Sequence, residues 1–284
     1  MNNNKTLSYV GIGLAAVALL MSLLAFGGGS KQNAVSDVAF NKILSSGTLK
    51  AGYIVYAPYI AKDPKNGELS GILYDLTNDV GKRLGVKVEW VEEAGYGTIS
   101  TSLEAGRYDL YAGLWPSADR SKAITFSAPI YYDAIYAYAR NNDQRFNNNL
   151  DAINSSQIKI STIDGELADT IARETFSSAQ RVSLPQTAPF DQLALQVISN
   201  KADITFLPPA SALAFSKANP GTLKRVSDTP VRIYEITIGV KLGETNLKNM
   251  LDVVVKELIT TGTVKQILEK YDPTALQVAP PYTK

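Results

Sequence analysis

Two rhythms of apolar residues run along this chain. From Leu49 to Ile54 apolar positions alternate with others, which predicts a strand. Leu76, Val80 and Leu84 recur every fourth residue, one face of a helix, and Gly85 stands where a helix C-terminus favours glycine. Val86, Val88 and Trp90 then alternate with Lys87 and Glu89, the pattern of a half-buried strand. Ile99 to Ala105 predicts a second helix, stopped by Gly106, ahead of a strand formed by Asp109-Leu-Tyr-Ala112. Upstream, Val35 to Leu44 predicts a short amphipathic helix. Strand, helix, strand, helix, strand is the order of an α/β lobe.

The grammar returns in the second half. Ser102-Leu-Glu-Ala-Gly-Arg-Tyr-Asp-Leu-Tyr111 resembles Val197-Ile-Ser-Asn-Lys-Ala-Asp-Ile-Thr-Phe206. Each is a helix end, then a Gly or Asn able to take positive φ, then an Asp that opens a strand. Each strand runs into a Pro-containing loop, Trp115-Pro-Ser in one case and Pro208-Pro-Ala-Ser211 in the other. Either the chain holds two related lobes, or the match reflects a pattern that any α/β protein repeats. Under the first reading the loops lie at the carboxyl ends of equivalent strands, where open α/β sheets bind ligands. The polar stretch Asn141 to Ser156 predicts a surface connection between the halves. Gln157 to Thr162 predicts a strand and Glu166 to Thr175 a helix. Leu247, Met250, Leu251, Val254, Val255 and Leu258 keep a helical stripe, read as core, that ends at Gly262; Val264 to Tyr271 predicts one more helix.

Composition narrows the chemistry. The chain has 284 residues, 45% hydrophobic and 19% charged, with a formal net charge of +1. Beyond residue 30 about 250 residues remain, enough for two lobes of roughly 100–150 residues each. No basic block is present, so nucleic acid is not an expected partner. There is no Cys and no His. That excludes disulfides, thiol nucleophiles, a lipid-modified cysteine, a Ser-His-Asp triad and a transition-metal site, and no cofactor is expected. Leu7 to Phe26 is apolar or small throughout, follows Lys5 and precedes Gly27-Gly-Gly-Ser30. Twenty helical residues span roughly 30 Å, one hydrocarbon core. Residues 1–30 are therefore read as an uncleaved membrane anchor or a cleaved signal peptide, with a linker, and both export the remainder. Ala25-Phe-Gly27 would serve as a cleavage site, although the apolar run exceeds the usual 7–15 residues of a signal core.

The candidate chemistry centres on Gly113-Leu-Trp-Pro-Ser-Ala-Asp-Arg120 and the Ala123-Ile-Thr-Phe-Ser-Ala-Pro-Ile-Tyr-Tyr132 that follows. The guanidinium of Arg120 offers a rigid fork that pairs a carboxylate through two hydrogen bonds; the plainer reading is a surface arginine. Other segments stand around these in a set order. They are Gly47-Thr-Leu-Lys50, Tyr56-Ala-Pro-Tyr59, Gly67-Glu-Leu-Ser-Gly71, Lys82-Arg-Leu-Gly-Val-Lys-Val-Glu89, Gly106-Arg-Tyr-Asp109 and Gly262-Thr-Val-Lys-Gln-Ile-Leu-Glu-Lys-Tyr271. In order and spacing, from about Ser46 to Asp272, they resemble the extracytoplasmic solute-binding proteins of ABC transporters. The match is to the polar amino-acid-binding family, bacterial solute-binding protein family 3.

That resemblance implies a two-lobe α/β fold of the type II periplasmic-binding-protein class, with a ligand cleft between the lobes. Lobe one takes residues 40–133 and 239–284 and lobe two takes 134–238. Two strands, near Tyr136 to Arg140 and Tyr234 to Val240, cross between them. It implies a binding protein rather than an enzyme. The expected partners are a small carboxylate ligand, an amino acid or analogue, and a membrane permease, and the expected state is a monomer. In the family the arginine matching Arg120 holds the ligand carboxylate, and Gly113 and Trp115 match positions flanking the ligand. Trp115 replaces a small hydroxyl residue there and either covers the cleft or fills core. Tyr56 matches an aromatic that stacks on the ligand; Tyr53 and Tyr96 map near it, as rim or as packing. Gly165 is kept from a second-lobe motif in which Glu166 and Leu167 replace hydroxyl residues. Glu166 either favours its helix N-terminus or meets the ligand. The family's amine-binding aspartate falls on Pro208, which cannot accept an amine through its side chain. The family's carboxylate grip is thus retained while its amine grip is lost. Two rivals follow: an enzyme on the same fold, similar to periplasmic cyclohexadienyl dehydratases with Glu166 moving a proton, and a membrane-tethered ligand-sensing domain.

Overall fold

The structure, a computed structural model, describes residues 37–271; the anchor or signal reading of residues 1–30 lies outside them. Among the described residues no helix is long and apolar enough to cross a membrane. The chain begins with helix α1 (Val38–Ser46) and turns at Gly47 into strand β1 (Thr48–Tyr53). A two-stranded hairpin, β2 (Ala61–Lys62) and β3 (Leu69–Ser70), precedes α2 (Ile72–Leu84). The apolar stripe of α2 buries Leu76 and Val80, and Gly85 caps the helix in the left-handed region at φ 68°. Then come β4 (Lys87–Glu93), α3 (Ile99–Glu104), β5 (Leu110–Leu114), β6 (Ile124–Phe126) and the long β7 (Tyr131–Arg140). The second half runs β8 (Lys159–Ile163), α4 (Leu167–Glu174), β9 (Gln180–Leu184), α5 (Gln192–Ile198), β10 (Ile204–Leu207), α6 (Pro209–Ala218) and β11 (Leu223–Arg225). Finally β12 (Arg232–Lys241) leads to α7 (Thr245–Thr260) and α8 (Thr263–Tyr271).

The main sheet has the order β4-β1-β5-β12-β7-β10-β8-β9. Its two flanks are parallel, β4-β1-β5 on one side and β10-β8-β9 on the other. Between them β7 and β12 pair antiparallel, from Arg232 opposite Ile135 to Ile236 opposite Tyr131. Beyond that shared stretch they part. The end of β12 pairs with β5 and β6, while the end of β7 pairs with β10 and β11. One core holds Leu49, Leu76, Val80, Leu110, Val240 and the stripe of α7. Another holds Ile160, Ile171, Leu193, Ile204 and Phe206.

The internal repeat has a physical basis. Gly106 (φ 67°) and Asn200 (φ 60°) both take the left-handed conformation. Three residues on, Asp109 accepts the Lys50 backbone N–H (2.9 Å), and Asp203 accepts the Lys159 N–H (2.9 Å). Each aspartate thus ties the start of its strand to the neighbouring parallel strand. Lys42 neutralises Asp109, and Arg140 and Arg145 neutralise Asp203.

Two expectations need correcting. Residues 141–156 are more than a surface connection. Phe146 and Ile153 are fully buried, and Asp143 is bound by Arg140 and Arg145. Pro208-Pro-Ala-Ser211 is not a loop but a helix start, with Pro208 extended at the N-cap and Pro209 as the first residue of α6. Proline fits there because the first helical N–H has no intrahelical acceptor to lose.

Candidate functional site

The site forms where the strand ends of the two halves meet. At the end of β5, Gly113 has φ 74°, and a Cβ there would lie 2.1 Å from Leu73 Cδ1. Only glycine lets the strand pass α2 so closely. The chain then reaches Trp115 and a short 3-10 turn that begins at Arg120. Trp115 holds Arg120 twice. The guanidinium carbon lies 3.9 Å from the indole centroid, and Arg120 Nη1 donates to the Trp115 carbonyl (3.2 Å). Among the described residues Arg120 has no salt-bridge partner. Burial lowers its pKa to about 10, resisted by Tyr111, Tyr96, Glu166 and Tyr234 around it.

Across the cleft, β8 is followed by a turn at Gly165 (φ 75°), whose α-carbon side faces Tyr96 and Gly97. Glu166 follows as the N-cap of α4, and its carboxylate accepts the Ala168 N–H (2.6 Å). The side chain is only 4% exposed. Burial pushes its carboxyl up to about 7, against the opposing pull of the Ala168 and Leu167 amides and of Arg120.

The aromatic segment after β1 makes the third wall. Tyr56 stacks on Tyr59 at 4.6 Å and lies against Phe190 at 4.1 Å. The Tyr59 hydroxyl donates to Asp133, which sits on β7 among apolar neighbours. A cavity of about 40 Å³ lies between these walls. It abuts a larger cleft of about 950 Å³, with Ile54 and Tyr56 in the walls of both.

The cavity brings together Tyr56, Tyr96, Gly113, Trp115, Glu166, Leu167 and Pro208 from the sequence-based set. Arg120 stands against Trp115 rather than in the cavity wall. Gly165 also stays behind the wall, and Tyr53 lies apart, edge-on to Trp90 at 5.7 Å. Trp115 both lines the cavity and packs against the second core. The cavity also recruits Tyr59, Tyr111, Asp133 and Tyr234, which the sequence reading did not select. Asp133 had a visible signal, being the one charge between Ile130 and Ala139.

The two halves touch across the site. Tyr96 and Trp115 pack into the second core, and Ala210 packs into the first. The Gly97 N–H donates to Gln186 Oε1 (2.8 Å), and Ser211 Oγ donates to the Ala57 carbonyl (3.1 Å).

Residues 49–274 match the model of the bacterial extracellular solute-binding proteins, family 3. A probable amino-acid ABC transporter-binding protein of Haemophilus influenzae is 25% identical over 89% of this chain and 94% of its own length. The L-cystine-binding protein of Bacillus subtilis is 22% identical over 92% of this chain and 96% of its own. Among solved structures, an ancestral amino acid-binding protein, a precursor of cyclohexadienyl dehydratase, superposes with a TM-score of 0.71 at 24% identity. It covers 81% of this chain and 97% of that one. An ancestral arginine-binding protein bound to arginine gives 0.70 at 24% identity, covering 80% and 98%.

Proposed function

The chain belongs to the bacterial extracellular solute-binding proteins of family 3, and from that premise we propose that it is the extracytoplasmic binding component of an amino-acid ABC importer. Its ligand is a small carboxylate-bearing molecule, an amino acid or a close analogue. Residues 40–133 with 239–284 form one jaw and 134–238 the other, and β7 and β12 are the hinge. Closure around the solute creates the surface that a membrane permease reads. Residues 7–26 carry the protein to the outer side of the membrane, either retained as an anchor or removed as a signal.

One observation carries this reading. Arg120 is a half-buried guanidinium with no salt-bridge partner among the described residues, held by Trp115, whose ring lines the aromatic cavity. A charge drawn part-way out of water gains from a counter-charge, and a ligand carboxylate supplies one. The Trp115 ring contributes rigid apolar area beside it. Because Pro208 offers no acceptor side chain, any ligand amine turns to Glu166 or Asp133, the two acids in the cavity wall.

A thermal-shift screen with amino acids, opines and small carboxylates tests the class, since a ligand that binds only the folded state raises its melting point. Arg120→Ala should weaken the best ligand at least ~30-fold, because truncating one partner of a buried charge pair costs roughly 2–5 kcal/mol. Unchanged affinity by calorimetry would remove Arg120 from the site.

Glu166 favours a second reading. A buried carboxyl poised at about 7 suits a general acid or base, and one structural neighbour is a precursor of cyclohexadienyl dehydratase. Under that reading the protein converts prephenate or arogenate, and Glu166→Gln abolishes the conversion. Incubation that yields no product retains the binding role alone.

A further inference from the structure

Tyr111, the second residue of β5, is 1% exposed and lines the cavity. Its hydroxyl oxygen is buried and has no hydrogen-bond partner among the described residues. Buried hydroxyls are almost always bonded, so such an atom calls for an explanation. Its neighbour Tyr108 gives a comparison within the same core cluster, with ring centroids 6.0 Å apart. Tyr108 spends its hydroxyl on the Ile99 carbonyl (3.1 Å) and is complete within the fold. Tyr111 is not. Half-buried Tyr131 also has a buried hydroxyl without a partner among the described residues, but it does not line the cavity.

The charge around Tyr111 selects the partner. Arg120 is the cation that acts on it, and Tyr111 in turn is the first of the groups that offset the cost of burying Arg120. Burial holds the phenol protonated far above its ordinary range, so it remains an O–H donor at every working pH. An O–H donor in the field of a guanidinium is suited to an anionic oxygen.

We infer that the Tyr111 hydroxyl is a ligand-binding donor which, with Arg120, forms a two-donor seat for the ligand's carboxylate at the end of β5. This rests on the reading above that the ligand carries a carboxylate. It adds a specificity role. The hydroxyl favours a charged oxygen over the neutral oxygen of the corresponding amide, because hydrogen bonds to ionised acceptors are roughly twice as strong.

The experiment compares the full chain, Tyr111→Phe and Arg120→Ala. Calorimetry uses L-arginine, L-argininamide, L-glutamine and acetate as probes, and urea denaturation is run on each protein without probe. Removing a hydrogen bond to a charged group should weaken the best carboxylate probe about 10- to 100-fold in Tyr111→Phe. The ratio of L-arginine to L-argininamide affinity should fall as well, which a merely structural role would not produce. The denaturation midpoint should stay level or rise, since phenylalanine buries no orphan hydroxyl. If Arg120→Ala loses affinity while Tyr111→Phe keeps both affinity and ratio, the seat is overturned and the carboxylate reading stands. Weakening of acid and amide in equal measure likewise overturns the donor role. If the unaltered protein binds no carboxylate probe at millimolar concentration, both readings fall together.

Discussion

Glu166 shows how much a single side chain can report about this cleft. Its carboxyl is pushed up to about 7 in the folded chain, from 4.5 ordinarily, chiefly by burial. Between those values the folded chain keeps a proton that the unfolded chain has released. The resulting stability is fully present below about pH 4.5, falls as pH rises towards about 7, and is gone above it, an effect of up to about 3 kcal/mol. Glu166→Gln should therefore flatten the denaturation profile between pH 4.5 and 7.5, and a variant profile parallel to the unaltered protein's would refute the assignment. At this scale the sequence disclosed the residues whose type stands out in a loop or turn, namely Arg120, Trp115 and Glu166. It did not disclose Tyr111. A tyrosine in an alternating strand reads as ordinary core, and the missing partner of its hydroxyl exists only once the strands are packed. Tyr53, which the resemblance maps near Tyr56 as rim or as packing, lies edge-on to Trp90 and outside the cavity wall.

The repeated element was legible as grammar before its purpose was. A left-handed Gly or Asn followed by an aspartate reads locally, and the structure supplies the reason, a carboxylate that accepts the N–H of the adjacent strand. Asp109→Ala would leave the Lys50 N–H without its acceptor and strip Lys42 of its counter-charge. We expect a loss of about 1–3 kcal/mol, visible as a lower urea midpoint with an unchanged slope. A loss within ±0.5 kcal/mol, the ordinary range for a surface substitution, would reduce Asp109 to one. The long helices were readable because several turns repeat one stripe, as in α2 and α7. Strands β6 and β11 have three residues each, too few to show a period. Helix α6 was missed because its opening Pro-Pro reads as a turn, although proline is at home at a helix start.

At the scale of the molecule the strands β7 and β12 serve both halves, so that the jaws share a continuous ladder instead of being joined by slack loops. Gln186 reaches across the mouth to the Gly97 N–H, and Phe190 meets Tyr56 beside it. Gln186→Ala should shift the population towards open forms. Small-angle scattering without added solute should give a larger radius of gyration than for the unaltered protein, with ligand affinity reduced by no more than about tenfold, the worth of one net hydrogen bond. An identical scattering curve would show that the latch carries no weight in closure. The space between the jaws, about 40 Å³, has room for a few water molecules and not for an amino acid. Under the proposed hinge, a solute seated in that space enters and leaves when the ribbon of β7 and β12 twists the halves apart. The dwell time of a captured molecule then becomes a property of that ribbon's stiffness as much as of the groups that touch it. Substitutions in the strands, far from any contact, can set how fast cargo is handed on.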